Sequence, residues 1–426
     1  MSSVADILTK AKSSASTNPQ EAEKLYKQVL ASTTASISKD DDHAQDLRDQ
    51  EIALVKLGEL YRDQKNAQGL ADIITQSRAF MSSTAKAKTA KLIRTLLDYF
   101  NAIPGSQKVQ IKTLTDNIAW AKNEKRIFLK HSLETRLAGL QLEARQYGAA
   151  LALIDTLLTE LKRLDDKMIL TEVHLLESRV YRGIGNLAKA KAALTSSRTA
   201  ANSIYCPPTL QAALDLQSGI LHAEDKDYTT AYSYFFEAFE NMSAQGEEGA
   251  LGALKYMLLC KVMLNLPEDV NSLLTIKLAL KYANMRDVES MRAIARAHQN
   301  RNLADFEKAL RDYKDELSSD PTIRSHLAAL YDTLLEQNLL RIVEPYSVVE
   351  IEYVAETVGQ ERQAVETKLS QMILDKVFYG VLDQGRGCLL VYDEPEADNT
   401  YGAAIQTLEQ VSKVVESLYV KTVRIG

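Results

Sequence analysis

The sequence predicts a mainly α-helical protein: a right-handed α-solenoid of tetratricopeptide-like helix pairs, capped by a winged helix and followed by one C-terminal helix. Three observations carry that expectation. A polar turn, a large residue and then an alanine recur about every forty residues, as at Gln146-Tyr147 with Ala150 and Asp227-Tyr228 with Ala231. Proline is scarce, 8 in 426 residues, which suits long helices joined by short turns. Late in the chain a glycine turn, Asp383-Gln384-Gly385-Arg386-Gly387, separates two apolar runs of strand character. The predicted divisions are a solenoid over 1–319, a winged helix over 320–395 and a terminal helix over 396–426.

In chain order, Asn18-Pro19 opens a helix that runs through Leu25 and Val29-Leu30. The Ser/Thr-rich sequence after it, running into Asp40-Asp41-Asp42, reads as a loop. Helical spacing resumes at Ile52, with Leu54, Val55, Leu57, Leu60 and Tyr61 on one apolar stripe. The second helices of successive pairs are expected to open at Asn66-Ala67, Ser106-Gln107, Gln146-Tyr147, Asn186-Leu187, Asp227-Tyr228, Pro267 and Asn302-Leu303. The large residue fills the gap between helices, and the alanine lets the partner helix approach. One pair cannot bury its own apolar face, so pairs must stack and the stack must end on a cap. The winged helix, packed against the last pair at Leu303 to Leu317, is that cap.

Its punctuation is local. Asp320 reads as an N-cap with Pro321 at the first helical position, before Leu327, Leu330, Tyr331, Leu334 and Leu335. Leu340 to Val343 reads as a short strand ended by Pro345. Ser347-Val348-Val349-Glu350 reads as a capping box opening a second helix through Ile351, Val354 and Ala355. A third helix uses Val365, Leu369, Met372 and Ile373, and strands follow at Phe378 to Leu382 and Cys388 to Tyr392. Behind them, Thr400 to Ile425 reads as one helix. Tyr401, Ala404, Leu408, Val411, Val415 and Leu418 alternate three and four apart, widened by Ile405, Val414 and Tyr419. Such a stripe needs a partner, and joining a helical bundle with other subunits is favoured over folding back.

Charge narrows the function. The net charge is −6, but from Pro321 onward there are 9 Lys/Arg and 16 Asp/Glu, net −7, leaving +1 for residues 1–320. A winged helix that reads DNA needs a basic face. The third helix region instead has Glu361, Glu366 and Asp375 against Arg362, Lys368 and Lys376. No nucleic acid is therefore expected; a protein partner is, with the strand carrying Cys388, Leu390 and Tyr392 as an edge for a neighbouring winged helix. Lys86, Lys88, Lys91 and Arg94 form a basic helix face, read first as a solvated face and second as a docking patch for an acidic partner.

No residue set points to catalysis. Phosphate-cradling, nucleophile-elbow, dinucleotide and zinc-helix motifs are absent, so no enzyme, cofactor or metal is expected. The histidines, His43, His131, His174, His222, His298 and His326, are scattered and read as helix-surface or satisfied core residues. Cys206, Cys260 and Cys388 lack ligand spacing and read as reduced, mostly buried thiols. Asp165-Asp166 and Glu247-Glu248 read as turn and cap residues. No leader-like start and no uninterrupted apolar stretch of about 18 residues occurs, so a soluble intracellular protein is expected, without a membrane.

Several stretches carry a resemblance. They include Lys86 to Arg94, Asn123 to Arg126, Ala201 to Pro208, Asp227 to Glu240, Leu254 to Lys261, Leu303 to Leu310, Leu335 to Leu339 and Lys368 to Lys376. Together with helical repeats, winged helix and terminal helix, they resemble the PCI-domain subunits shared by the proteasome lid, the COP9 signalosome and the translation initiation factor 3 complex. Tyr205-Cys206-Pro207-Pro208 and the chain length favour the non-ATPase lid subunits of the 26S proteasome over a signalosome scaffold. The resemblance implies a non-catalytic subunit of a hetero-oligomeric complex in ubiquitin-dependent degradation, in cytoplasm and nucleus. It would scaffold lid assembly and clamp lid and base to the core. Implied partners are other PCI lid subunits, an α-ring subunit of the 20S core and an ATPase subunit of the base. A nucleic-acid-binding winged-helix regulator is the more distant alternative.

Overall fold

Helix ends and helix starts are merged in this chain. In the computed structural model Lys65, Lys125, Arg145, Gly185, Lys226, Asn265 and Arg301 all take positive φ, each one residue before a helix cap. At Arg145 the N–H donates to the Leu142 carbonyl at 3.0 Å, and the N–H of Gln146 donates to that of Gln141 at 2.8 Å. The same pair of bonds closes the helix at each of these turns. The residue after the left-handed one then serves the next helix. Asn186, Asp227 and Asn302 accept from the N–H groups of Lys189, Thr230 and Ala304 at 3.1, 3.3 and 3.0 Å. A left-handed non-glycine residue costs about 1–2 kcal/mol, which two backbone bonds at about 0.5–1.5 kcal/mol each offset.

The structure describes residues 4–14, 18–32, 40–81, 86–246, 249–318, 320–393 and 399–425. These fall into two units, Met1–Ala253 and Leu254–Gly426. The first holds α1 (Val4–Ser14), α2 (Pro19–Ser32), α3 (Asp40–Asp63), α4 (Ala67–Met81), α5 (Lys86–Asp98), α6 (Gln107–Asn123), α7 (Ile127–Glu143), α8 (Tyr147–Leu164), α9 (Lys167–Ile184), α10 (Leu187–Ala201), α11 (Pro208–Glu224) and α12 (Tyr228–Gln245). Neighbours in sequence pack together, and first helices of successive pairs also meet, α7 with α9 and α9 with α11. This is stacking of a solenoid kind. The alanines Ala150, Ala190 and Ala231 are wholly buried. The large residue Tyr147 finds a small partner, since a Cβ added at Gly183 would lie 2.6 Å from its ring, and further along α12 Phe235 has the same relation to Gly219, at 2.6 Å.

The predicted second-helix starts coincide with α4, α6, α8, α10 and α12. Two expectations here need correction. Asp40-Asp41-Asp42 is no loop but the first turn of α3; residues 33–39 lie outside the described residues. Ile52 leaves the buried stripe that Leu54, Leu57, Leu60 and Tyr61 form.

α13 (Gly249–Met263) leads into the second unit, which continues with α14 (Pro267–Leu274), α15 (Arg286–Gln299), α16 (Leu303–Asp312), α17 (Lys314–Ser318) and α18 (Pro321–Val343). Then follow β1 (Val348–Glu350), α19 (Ile351–Val358), α20 (Arg362–Leu374), β2 (Tyr379–Asp383), β3 (Cys388–Tyr392) and α21 (Asn399–Ile425). The Asp320 carboxylate caps α18 by accepting from the Thr322 N–H at 2.9 Å, and it also takes the Tyr256 hydroxyl. α18 packs on α16 and α17 and also on α19 and α20, so helical repeat and winged helix share one helix. The Tyr331 hydroxyl donates to Glu307 at 3.1 Å, and the Gln360 amide donates to Tyr331 at 2.8 Å and to Glu307 at 3.1 Å. These bonds tie the α19–α20 turn to α16 through α18.

The start of the winged helix differs from the sequence reading. Leu340 to Val343 is the last turn of α18, because nothing between Leu335 and Pro345 breaks the helix, and Leu339 and Val343 enter the winged-helix core. Ser347 to Glu350 is not a capping box. Val348 and Val349, both β-branched, extend as β1, and Glu350 precedes α19 without a side-chain cap bond. The sheet is antiparallel in the order β1-β3-β2, with Val349 opposite Leu389 and Val381 opposite Leu390. Val349, Ile351, Val354, Val365, Leu369, Met372 and Leu389 close its core.

Candidate partner surfaces

α21 is 27 residues long, and every described side chain from Thr400 to Thr422 is exposed. Tyr401, Ala404, Leu408, Val411, Val415 and Leu418 lie on that bare helix; Tyr401 is 74% and Leu408 70% exposed. Ile405, Val414 and Tyr419 are exposed beside them. Full burial of a Val or Leu is worth about 1.5–3 kcal/mol. The stripe therefore holds a large unrealised apolar contact on a helix of regular geometry.

The sheet edge is elsewhere than the sequence reading put it. β3 is the middle strand: Tyr392 pairs with Tyr379 of β2, and Cys388 and Leu390 pair with β1 on one side and β2 on the other. They therefore do not offer a free backbone edge. The first strand, hidden in a segment read as a helix start, occupies the side that a two-stranded hairpin would leave open. Within this three-stranded sheet the outer strands are β1 and β2, and β2 presents Val381 to solvent.

On α20 the cations are spent within the chain. Arg362 pairs with Glu366 at 3.0 Å and Lys368 with Glu336 at 2.8 Å. A helix whose cations are engaged this way is a poor phosphate reader. Of the basic face on α5, Lys91 and Arg94 are exposed, while the side chain of Lys86 lies outside the described residues.

One cluster escaped the sequence reading. His131 and Glu134 on α7 and Glu160 on α8 bring ligand-type atoms within 4.8 Å of one another. The chain fills the gap itself: the Lys130 ammonium is 2.7 Å and 2.9 Å from the Glu160 oxygens and 3.7 Å from Glu134, and His131 Nε2 is 2.9 Å from Glu160. Bonds from Lys130 and His131 hold the Glu160 carboxyl below its ordinary range, whereas burial pushes Glu134 up. With a lysine at its centre the cluster is an ion-pair brace between α7 and α8, not a metal centre. Lys130, His131 and Glu134 share one helical face by spacing, which was the available signal.

Other polar residues sharpen the picture. Asp165 ends α8 in the left-handed conformation and Asp166 caps α9, accepting from Ile169 N–H at 3.4 Å; Glu247-Glu248 lies outside the described residues. Not every histidine is satisfied: His298 is buried and neither ring nitrogen has a hydrogen-bond partner. Burial, and then the neighbouring Arg301, hold its pKa below the ordinary value. Among the cysteines only Cys260 is buried, its thiol pushed up to about 12 by desolvation; Cys206 and Cys388 are half-buried. Among the described residues no helix is long and apolar enough to cross a membrane.

Comparison with known proteins meets these features segment by segment. Residues 4–144 match the 26S proteasome regulatory subunit RPN6 N-terminal domain, 310–393 the PCI domain, and 397–422 the 26S proteasome subunit RPN6 C-terminal helix domain. The last match covers most of the bare helix. A probable 26S proteasome regulatory subunit rpn6 of Schizosaccharomyces pombe is 56% identical over 92% of each chain. The 26S proteasome regulatory subunit RPN6 of Saccharomyces cerevisiae is 49% identical over 94% of each. The 26S proteasome non-ATPase regulatory subunit 11 homolog of Arabidopsis thaliana is 48% identical over 96% of each. With such identity sustained through repeats, winged helix and terminal helix alike, the chain belongs to the RPN6 family of 26S proteasome regulatory subunits.

Proposed function

We propose that the chain is a non-catalytic structural subunit of the 26S proteasome regulatory particle, built into its lid. The observation that carries this is α21, a full-length helix whose apolar stripe has no cover within the described residues. The stripe supplies a bundle contact with the terminal helices of other PCI subunits. Binding costs about 4–15 kcal/mol in lost freedom, and burial of the stripe's large side chains at about 1.5–3 kcal/mol each offsets it. The outer strand β2 supplies a sheet edge for a neighbouring winged helix. The names of the relatives, all regulatory subunits, support a role without chemistry of its own. Contacts of the helical repeats with a core α-ring subunit and an ATPase subunit complete the reading, with exposed Lys91 and Arg94 on α5 as one surface for an acidic neighbour.

Deleting Thr400–Gly426 tests the reading. Circular dichroism should show the remaining helices folded, while native gels and affinity purification should show the truncated chain outside the regulatory particle. Normal incorporation of the truncated chain would remove the basis of the proposal.

A further inference from the structure

A second unfilled surface lies in the first unit, where the α6–α7 turn faces the end of α8. It is a groove of ≈ 390 Å³. We propose that this groove docks an acidic segment of a partner protein that carries an apolar side chain, and this holds whether or not α21 acts as proposed above.

The wall is apolar. Ala121, Ile127 and Leu164 line it, and Ile127 and Leu164 stay 49% and 48% exposed. Phe128, next in the first turn of α7, is 69% exposed. Exposed side chains of this size at one place mark an interaction surface. The rim is basic. Lys122, Lys125, Arg126, Lys130 and Arg163 line the groove against one acid, Glu160, which Lys130 and His131 already engage. This concentration of cations stands on a chain of net charge −6.

The cations divide by role. Arg126 is buried and its guanidinium lies over the Trp120 ring at 5.0 Å, and Lys130 belongs to the α7–α8 brace. Lys122, Lys125 and Arg163 are exposed, and among the described residues none of the three takes part in an ion pair. Arg163, in the last turn of α8, also meets the negative end of that helix dipole, so its charge has one structural use. Lys122 and Lys125 sit where α6 ends and turns. An acidic peptide satisfies all three while its apolar side chain covers Ile127 and Leu164. A nucleic-acid strand fits less well: its phosphates leave the apolar wall uncovered, and the Glu160 carboxylate opposes a continuous polyanion.

The test uses the full chain and a fluorescein-labelled peptide of acidic residues around two central leucines, followed by anisotropy. Saturable binding is expected, weakening as salt rises. The double variant Lys125→Glu/Arg163→Glu, the variant Leu164→Ser, and a peptide with serines in place of its leucines should each weaken it by about tenfold or more. All substituted side chains are exposed, so circular dichroism should be unchanged. No saturable binding by the native chain, or binding indifferent to the variants, would overturn the proposal. So would tighter capture of an oligothymidylate that the same charge reversals abolish, which would make the groove a nucleic-acid site. A native-chain dimer that Leu164→Ser dissolves would overturn it in favour of a second copy.

Discussion

α18 and α21 are both long helices without internal proline, yet they are opposites in use. α18 spends Ile323, Leu327, Leu330, Leu334, Leu339 and Val343 on buried contacts with helices on more than one side. α21 spends none of its described apolar side chains. Their sequence patterns already differ. α18 places apolar residues around much of its circumference, as a helix packed between layers must. α21 confines them to one stripe with charged and small residues opposite, the pattern of a helix with a single partner. The lesson is that apolar content does not locate a core. Its distribution around the helix says how many neighbours there are, and the fold says whether they are in the same chain.

Four substitutions test this contrast. Leu334→Ala empties a fully buried position of α18 and should cost ~2–5 kcal/mol in urea unfolding of the chain. A loss below that range would mean α18 is not the shared strut described. Asp320→Ala removes the cap of α18 and the carboxylate that takes the Tyr256 hydroxyl; ~0.5–2 kcal/mol is expected. The proton supplies a milder perturbation. Because burial and Arg301 lower the His298 pKa, the unfolded chain binds that proton more readily than the folded one. The stability tied to neutral His298 is present above its ordinary value of 6.5 and falls away as pH drops through that value toward the lowered one. His298→Gln should flatten that part of the stability–pH curve, and an unchanged slope would assign it to another group. Smallest of all, Leu408→Ala in α21 should stay within about 0.5 kcal/mol in the isolated chain. The same variant should lose partner capture in affinity purification, and a large change in the isolated chain's stability would show that α21 has an internal partner.

Much of this architecture is legible in local sequence, and the misses share a cause. Starts such as Tyr147, Leu187 and Tyr228 follow from a polar cap residue and a large–small spacing confined to one turn. The stripe of α21 is likewise a property of one helix. The reading of Ser347 to Glu350 failed because a capping box and a short β-branched strand have overlapping residue preferences, and only the partner strand decides between them. That partner, Leu389 opposite Val349, lies forty residues on. Once β1 takes one side of β3, Cys388 and Leu390 become interior to the sheet, so one local error moved the predicted edge. The brace of Lys130, His131 and Glu134 was half visible by spacing, but Glu160, which completes it, comes from the next helix.

The amino-acid sequence alone determined the helix pairs and their phase, the acidic winged helix and the single stripe of the tail, because each depends on composition or on residues within a few turns. Tertiary structure alone decided which strand is central, that α18 runs unbroken from repeat into winged helix, that His298 is buried without a hydrogen bond, and that Lys125, Ile127 and Arg163 border one groove. Those features join residues distant in sequence, and their energies come from pairing and desolvation that exist only after the chain has packed.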